Sequence, residues 1–150
     1  MQIIDRKPVY SATDLVGFLA CNHLTDLERC NQLGLVKKPQ RSDPELDIIV
    51  KRGLEHEQTY IERLRADGRD VHDYSADRPD DMDRGAFYRQ RAAIARAAIE
   101  RGDDVIFQAC FFDGTWLGFA DFLLRIDDPD APLGWSYEVA DTKLARSVKA

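Results

Sequence analysis

Cysteine, long apolar runs and a secretory leader are scarce or missing in this sequence, and each shortage excludes a class of protein. The three cysteines are an odd number without a CxxC spacing, which argues against a disulfide framework and favours reduced thiols. No run reaches the ~18 consecutive apolar residues of a membrane-spanning helix. Residues 1–10 have no apolar signal core, so we expect a cytoplasmic protein.

Basic charge is also in short supply, because 27 acidic residues outnumber 21 Lys and Arg and leave a net charge of −6. This balance counts against a protein that grips nucleic acid by bulk electrostatic attraction. It does not exclude a local site in which clustered carboxylates hold a cation, since the cation reverses their effect nearby. The sequence also lacks a GxxxxGK phosphate loop, so it is not expected to carry a helicase motor.

What the sequence does contain is the composition and patterning of a folded protein. Its 150 residues, 44% apolar and 32% charged, predict a single domain over residues 1–150. Ser11 and Asp14 form a capping-box pattern that predicts a helix start. Apolar periodicity and glycine stops predict further helices over residues 25–33, 45–66 and 87–101.

The pattern then becomes strand-like. Strands are predicted over residues 71–74, 105–112, 115–126 and 135–143, with Asp113-Gly114 as a two-residue type I′ hairpin turn. Helices followed by a run of three strands is the order of an α+β protein, or of a mixed α/β sandwich with helices on the sheet.

Two acids and a lysine in the strand region are the main candidates for chemistry. Asp121 lies in the otherwise apolar run 116–124, where a buried carboxylate without a metal or a cationic partner is costly. Asp141 and Lys143 close the last predicted strand and share a face, because side chains alternate along a strand. An Asp-x-Lys pattern alone is most often a solvated pair. With Asp121 it offers what a protein needs to hold a divalent metal and aim a water at a phosphodiester.

Strand geometry leaves the meeting of these acids open. If the last two strands pair antiparallel through the turn at 127–134, Asp121 and Asp141 would be separated along the strands unless the pairing is offset. A bulge or another strand order would then be needed. Glu138 is a rival for the strand acid, but its odd spacing from Asp141 puts it on the opposite sheet face, and we prefer Asp141.

The long predicted helix adds His56 and Glu57, which fall at the margins of its apolar stripe. The ordinary explanation is a hydrogen-bonded histidine and an ion-paired glutamate at the edge of the core. Histidine is also the commonest metal ligand, and Glu57 is a candidate either as a ligand or as a group that orients one.

The order of these motifs resembles the RecB-like branch of the PD-(D/E)xK nuclease superfamily. In that family a helix carries a Gly-x-x-His motif, a Gly-x-x-Asp segment supplies the first carboxylate, and a (D/E)xK motif follows on the next strand. The matching segments are 53–56, 118–121 and 141–143. The phrase at 137–145 is similar to a subgroup of RecB-like nucleases that stand N-terminal to a helicase, and the resemblance spans residues 10–146.

The resemblance implies a restriction-endonuclease-like mixed sheet flanked by helices and a metal-dependent deoxyribonuclease of DNA repair or processing. His56, Asp121 and Asp141 would ligate Mg²⁺ or Mn²⁺, with the Thr142 carbonyl as a further oxygen ligand. Lys143 would position the attacking water, so that Lys143, Asp141 and Asp121 form the catalytic set. The expected partners are DNA, mainly single-stranded, and a helicase in the same or a neighbouring polypeptide.

Two departures from the family pattern matter. The sequence ends seven residues after Lys143, so the family's last helix, with its DNA-contacting Gln and Tyr, is expected to be missing. This suggests a catalytically inactive nucleic-acid-binding or interaction module as the alternative function. Some relatives hold an iron–sulfur cluster with one early and three late cysteines. Cys21 matches the early one, but no cysteine follows Lys143, and no cluster is expected. An unrelated acidic α+β scaffold, with Asp121 and Asp141 far apart, is a third possibility.

Overall fold

A computed structural model describes residues 1–39 and 44–142 of the chain. The predicted fold class is confirmed, since these residues form a mixed α/β structure with four helices, a four-stranded mixed sheet and a separate hairpin. The elements in chain order are β1 (Gln2–Ile4), β2 (Lys7–Val9), α1 (Ala12–Ala20), α2 (Asn22–Gln32), α3 (Pro44–Ala66), β3 (Val71–Asp73), α4 (Arg84–Arg101), β4 (Val105–Phe112), β5 (Leu117–Asp127) and β6 (Trp135–Ala140).

Helix ends follow the local signals in the sequence. The side chains and backbone N–H groups of Ser11 and Asp14 form the predicted capping box at the start of α1. Helix α4 begins at Arg84, three residues before its predicted start, because the Asp83 carboxylate accepts a hydrogen bond from the Ala86 N–H at 2.8 Å. An acceptor at this position satisfies a backbone donor that the first helical turn leaves open.

The main sheet has the strand order β3-β4-β5-β6, with β3 parallel to β4 and β5 antiparallel to β6. The predicted Asp113-Gly114 turn of type I′ is wrong in detail. Asp113 N–H donates to the Trp116 carbonyl at 3.3 Å, so the two central residues are Gly114 and Thr115. A type I′ turn needs positive φ at both central residues, and of these two only Gly114 has it, at 93°.

The hairpin of β1 and β2 was not predicted from the sequence. Its turn residues, Asp5 and Arg6, both have positive φ, at 51° and 63°, as a type I′ turn requires. Arg89 Nη1 donates to Asp5 Oδ2 at 2.6 Å. A Cβ at Gly85 would come within 2.8 Å of the same carboxylate, so glycine leaves the space that Asp5 occupies.

By internal contacts the described residues divide into two compact units, and the prediction of one domain stays a prediction. The first unit comprises residues 1–39, 76–95 and 110–119. Its core is formed by Ile4, Val9, Cys110 and Leu117, with Tyr88 and Phe112 packed against them. Burial raises the pKa of the Cys110 thiol, which suits a packing role better than a reactive one.

The second unit comprises residues 44–75, 96–109 and 120–142. Its core joins Ile61 and Leu64 of α3 to Val105, Phe107 and Phe122 of the sheet. The rings of Phe122 and Phe107 have centroids 4.9 Å apart. Only the second half of α3 enters this core; earlier apolar side chains on the helix, including Ile49 and Val50, are exposed. No helix in the described part of the chain is long and apolar enough to cross a membrane.

The second unit also contains a polar hub, here called the Asp103 cluster, formed by Asp103 with Arg101, Tyr74 and His72. Asp103 is only 6% exposed. Arg101 donates to both of its carboxylate oxygens at 2.7 and 2.6 Å, and the Tyr74 hydroxyl donates at 2.6 Å. His72 Nδ1 lies 3.8 Å from Asp103 Oδ2. Burial alone would raise the pKa of Asp103, but the hydrogen bonds from Arg101 and Tyr74 outweigh it and hold that pKa below its ordinary value.

Candidate functional site

Asp121 lies in the middle of β5, as it does in the predicted strand 115–126. It is half-buried, between Ala120 and Phe122, which are both buried. The pairing of β5 with β6 ends at Phe122 opposite Ala140. Continued by one residue beyond β6, this register would bring Asp121 opposite Asp141. The sequence left the meeting of the two acids open, and on this register it needs neither a bulge between β5 and β6 nor another strand order.

The turn between β5 and β6 fixes this register. Asp128 N–H donates to the Gly134 carbonyl at 3.1 Å, and Gly134 N–H donates to the Ala131 carbonyl at 2.9 Å. Gly134 has a φ of 78°, which glycine adopts without steric cost. These bonds close the residues between the strands into a defined loop, so they set which residues of β5 and β6 face each other.

Helix α3 turns Glu57, rather than His56, towards the packed side. Gly53, Glu57 and Tyr60 are half-buried and Ile61 is buried, whereas His56 is exposed. Positions spaced three and four apart lie on one side of a helix, so Glu57 continues the stripe that enters the core. The prediction put both residues at the stripe's margins; the structure divides them into one half-buried carboxyl and one exposed imidazole.

The electrostatics of Glu57 link three separate segments of the chain. Burial raises the pKa of Glu57 above its ordinary value, and the negative charges of Asp121 and Asp141 raise it further, while His56 lowers it. A carboxylate responds in this way to like charges only when they lie nearby. Helix α3, strand β5 and the segment after β6 thus bring their acids into one electrostatic neighbourhood. We call Glu57, Asp121, Asp141 and Gln108 the Asp121 cluster.

Gln108 is the member of the Asp121 cluster that sequence reasoning missed. Its side-chain Nε2 donates to Asp121 Oδ1 at 3.3 Å from the neighbouring strand β4. Its backbone φ is 57°, a left-handed value that costs a non-glycine residue roughly 1–3 kcal/mol. Strained backbone conformations of this kind cluster at active sites and ligand-binding sites. A glutamine in an apolar run is the only sequence signal for it.

Of the remaining predicted residues, the structure describes Thr142 and Glu138 but not Lys143. Lys143 lies outside the described residues. Thr142 is half-buried, and its Oγ1 is buried without a hydrogen-bond partner among the described residues. Such an atom is costly unless a water or an ion satisfies it. Glu138 is exposed and pairs with Leu124. It lies two residues before Ala140 on β6, so its side chain is on the same face as Ala140 and on the opposite face from Asp141.

The donor chemistry of this site fits a hard divalent cation. Within residues 1–39 and 44–142, no three His, Cys, Asp or Glu side chains form a set that could hold a metal ion by themselves. Mg²⁺ does not need such a set, because it keeps several waters and binds through one or two carboxylates plus substrate phosphates. Asp121 and Asp141 supply that number, and Glu57 lies near them. Next to Asp141 is the Thr142 hydroxyl, which has no hydrogen-bond partner among the described residues.

Cys21, the one candidate for an iron–sulfur ligand, is exposed between α1 and α2, and all three cysteines are free thiols. Comparison with protein-family models, curated proteins and solved structures finds no match to the chain. A functional assignment therefore depends on the sequence motifs and on the geometry of the Asp121 cluster.

Proposed function

We propose that this chain is a divalent-metal-dependent nuclease domain that hydrolyses DNA phosphodiester bonds, as its resemblance to RecB-like PD-(D/E)xK nucleases implies. The observation that carries the proposal is the pairing of β5 with β6, which ends at Phe122 and Ala140, the residues next to Asp121 and Asp141. The pKa of Glu57, raised by burial and then by these two acids, supports it. Two carboxylates from distant segments that make the ionised form of a third more costly give no benefit to a scaffold. They are what a cation site requires.

Each residue has a defined part in this mechanism. Asp121 and Asp141 would hold the cation, and the Thr142 carbonyl, His56 and Glu57 are the further candidate ligands or orienting groups. A cation held there would supply neutralisation of phosphate charge and a lower pKa for the attacking water. By the resemblance, Lys143 orients that water and stabilises the charge that develops on the phosphate. Mg²⁺ suits the carboxylates, and participation of His56 would favour Mn²⁺.

The setting of the activity follows from the same resemblance. The substrate is DNA, mainly single-stranded, and the domain works with a helicase in the same or a neighbouring polypeptide, in DNA repair or processing. The net charge of −6 gives little bulk attraction to DNA, so a partner that delivers the strand would compensate for weak binding.

The test is cleavage of labelled single-stranded DNA with Mn²⁺ or Mg²⁺ by the wild type, Asp141→Asn and Glu138→Gln. Asp141→Asn removes one cation ligand without changing size, so we expect the cleavage rate to fall by roughly 10³-fold, the scale of losing a main catalytic charge. Glu138→Gln changes the rival acid three residues away and should retain the wild-type rate. Equal rates in the wild type and Asp141→Asn would refute the assignment of Asp141.

One observation favours the second candidate, a catalytically inactive nucleic-acid-binding or interaction module. It is the lack, in the described part of the chain, of three metal-ligating side chains that form a complete set. Calorimetric titration with Mn²⁺ separates the two functions. Binding that is lost in Asp141→Asn supports the nuclease; no binding at millimolar Mn²⁺ supports the inactive module.

A further inference from the structure

The backbone of Gln108 has a conformation that no chain reversal explains. Among the described residues, three that are not glycine have positive φ: Asp5, Arg6 and Gln108. Asp5 and Arg6 are the central residues of the β1–β2 turn, which requires such angles. Gln108 instead lies inside β4, where a strand residue ordinarily has negative φ. Glutamine has no special preference for the left-handed region, so a feature of the fold must hold it there.

The contact that accompanies this conformation is the hydrogen bond from Gln108 Nε2 to Asp121 Oδ1 at 3.3 Å. An amide donor can orient a carboxylate without neutralising it. A lysine or arginine in the same place would compete with a metal cation for the charge. The Asp103 cluster shows the contrast, because there Arg101 neutralises the buried carboxylate directly.

We propose that Gln108 is a positioning residue, whose left-handed backbone aims its amide at Asp121 and fixes that carboxylate for cation binding. That a cation binds at Asp121 rests on the proposed nuclease function. The orientation of Asp121 by Gln108 is a property of the protein alone, and it can be tested separately. Groups that orient metal ligands typically contribute about 10–100-fold to metal affinity.

The first experiment is calorimetric titration of Mn²⁺ into the wild type, Gln108→Gly, Gln108→Asn and Arg6→Gly. Glycine and asparagine both accept positive φ, but neither brings an amide as far as Asp121. Both Gln108 variants should bind Mn²⁺ at least about 10-fold more weakly than the wild type. Arg6→Gly is the matched control, since it also relieves a left-handed residue but belongs to the first compact unit and not to the unit that contains the Asp121 cluster, and it should bind like the wild type.

Thermal unfolding separates positioning from simple structural support. Glycine fits the left-handed backbone, so Gln108→Gly should keep its unfolding midpoint within about 4 °C of the wild type while Mn²⁺ affinity falls. Wild-type affinity in Gln108→Asn would overturn the proposal, because the loss in Gln108→Gly would then reflect a loosened backbone. A fall in midpoint that parallels the loss of affinity would also overturn it.

The second experiment needs no metal. Three-bond NMR couplings report whether the Asp121 side chain keeps one rotamer in the metal-free protein. The wild type should show one rotamer, and Gln108→Gly and Gln108→Asn should show averaging. A single rotamer in all three proteins would overturn the positioning role. If the wild type binds no Mn²⁺ but the variants release the Asp121 rotamer, the nuclease proposal fails and the positioning role stands.

Discussion

The Asp103 cluster and the Asp121 cluster belong to the same compact unit, and both contain partly or fully buried acids, yet their environments act in opposite directions. Hydrogen bonds from Arg101 and Tyr74 lower the pKa of Asp103 against the effect of burial. Burial and two further acids raise the pKa of Glu57. The environment of Asp103 stabilises its ionised carboxylate, whereas the environment of Glu57 makes the ionised form of that residue more costly.

This contrast distinguishes an acid that stabilises the fold from acids that would favour the binding of a cation. A buried charge with a complete set of donors gains nothing from a ligand. Acids gathered with one another gain from a cation that offsets their repulsion, so they are stabilised by binding rather than by folding. The direction of the perturbation is therefore more informative than burial, which is greater at the Asp103 cluster.

The largest expected effect on stability comes from breaking the Asp103 cluster. Asp103→Asn removes the charge that Arg101 and Tyr74 contact, and hydrogen bonds to charged groups contribute about 1.5–3 kcal/mol. We expect the free energy of unfolding to fall by about 2 kcal/mol in urea denaturation. Asp77→Asn is the control, because Asp77 is exposed and is not a member of the Asp103 cluster, and it should change stability by less than ~0.5 kcal/mol. Equal effects of the two changes on the free energy of unfolding would show that the Asp103 charge does not stabilise the fold, and the contrast between the two clusters would then be lost.

A smaller effect of opposite sign is expected at Glu57. Glu57→Gln removes a charge from beside Asp121 and Asp141, so the metal-free protein should become more stable by about 0.5 kcal/mol, the scale of a partly exposed charge interaction. Glu62→Gln, on the exposed side of the same helix, should leave the free energy of unfolding unchanged. Destabilisation by Glu57→Gln would mean that a cationic group outweighs the two aspartates. Added Mn²⁺ should reduce the gain in the free energy of unfolding that Glu57→Gln produces.

The smallest effects are in the pH dependence of these two variants. The lowered pKa of Asp103 means that its contribution to stability is present above its ordinary value of 3.8 and is lost as the pH falls below it. The destabilisation by Asp103→Asn should therefore fade only below that pH. For Glu57, stability is fully present below its ordinary value of 4.5 and is lost as the pH rises through the raised pKa.

The gain from Glu57→Gln should accordingly disappear below pH 4.5 and be complete at neutral pH. Urea denaturation of both variants and the wild type between about pH 2.5 and 7 measures these differences. A Glu57→Gln gain that is the same at pH 4 and pH 7 would contradict a charge effect and indicate a change in packing instead.

The sequence predicted the elements whose signals are local. Ser11 and Asp14 predict the start of α1, and a glycine after each long helix predicts its end. Gly68, which follows α3, has a φ of 84°. The β1–β2 hairpin escaped because its strands have only three residues each and its turn, Asp5-Arg6, lacks the glycine that usually marks positive φ. There the turn conformation is imposed by its contacts, including the Asp5–Arg89 ion pair.

The sequence suggested candidate residues for the site but not their arrangement. Motif order selected Asp121 and Asp141, and the strand period put Glu138 on the other face of the last strand. Which of His56 and Glu57 faces inward depended on how α3 is rotated, and tertiary packing of Ile61 and Leu64 decides that. Gln108 could not be predicted, because a left-handed angle at a glutamine arises from tertiary constraint and leaves no pattern in the sequence.

The loop between β5 and β6 sets the strand register on which the Asp121 cluster depends, although none of its residues belongs to that cluster. Because strand side chains alternate between faces, inserting one residue there would shift the partner of Asp121 by one place and carry Asp141 to the other side of the sheet. Neither acid would have changed. Evolution can thus switch off such a centre, or an engineer restore it, by altering the length of a surface loop that has no chemistry of its own.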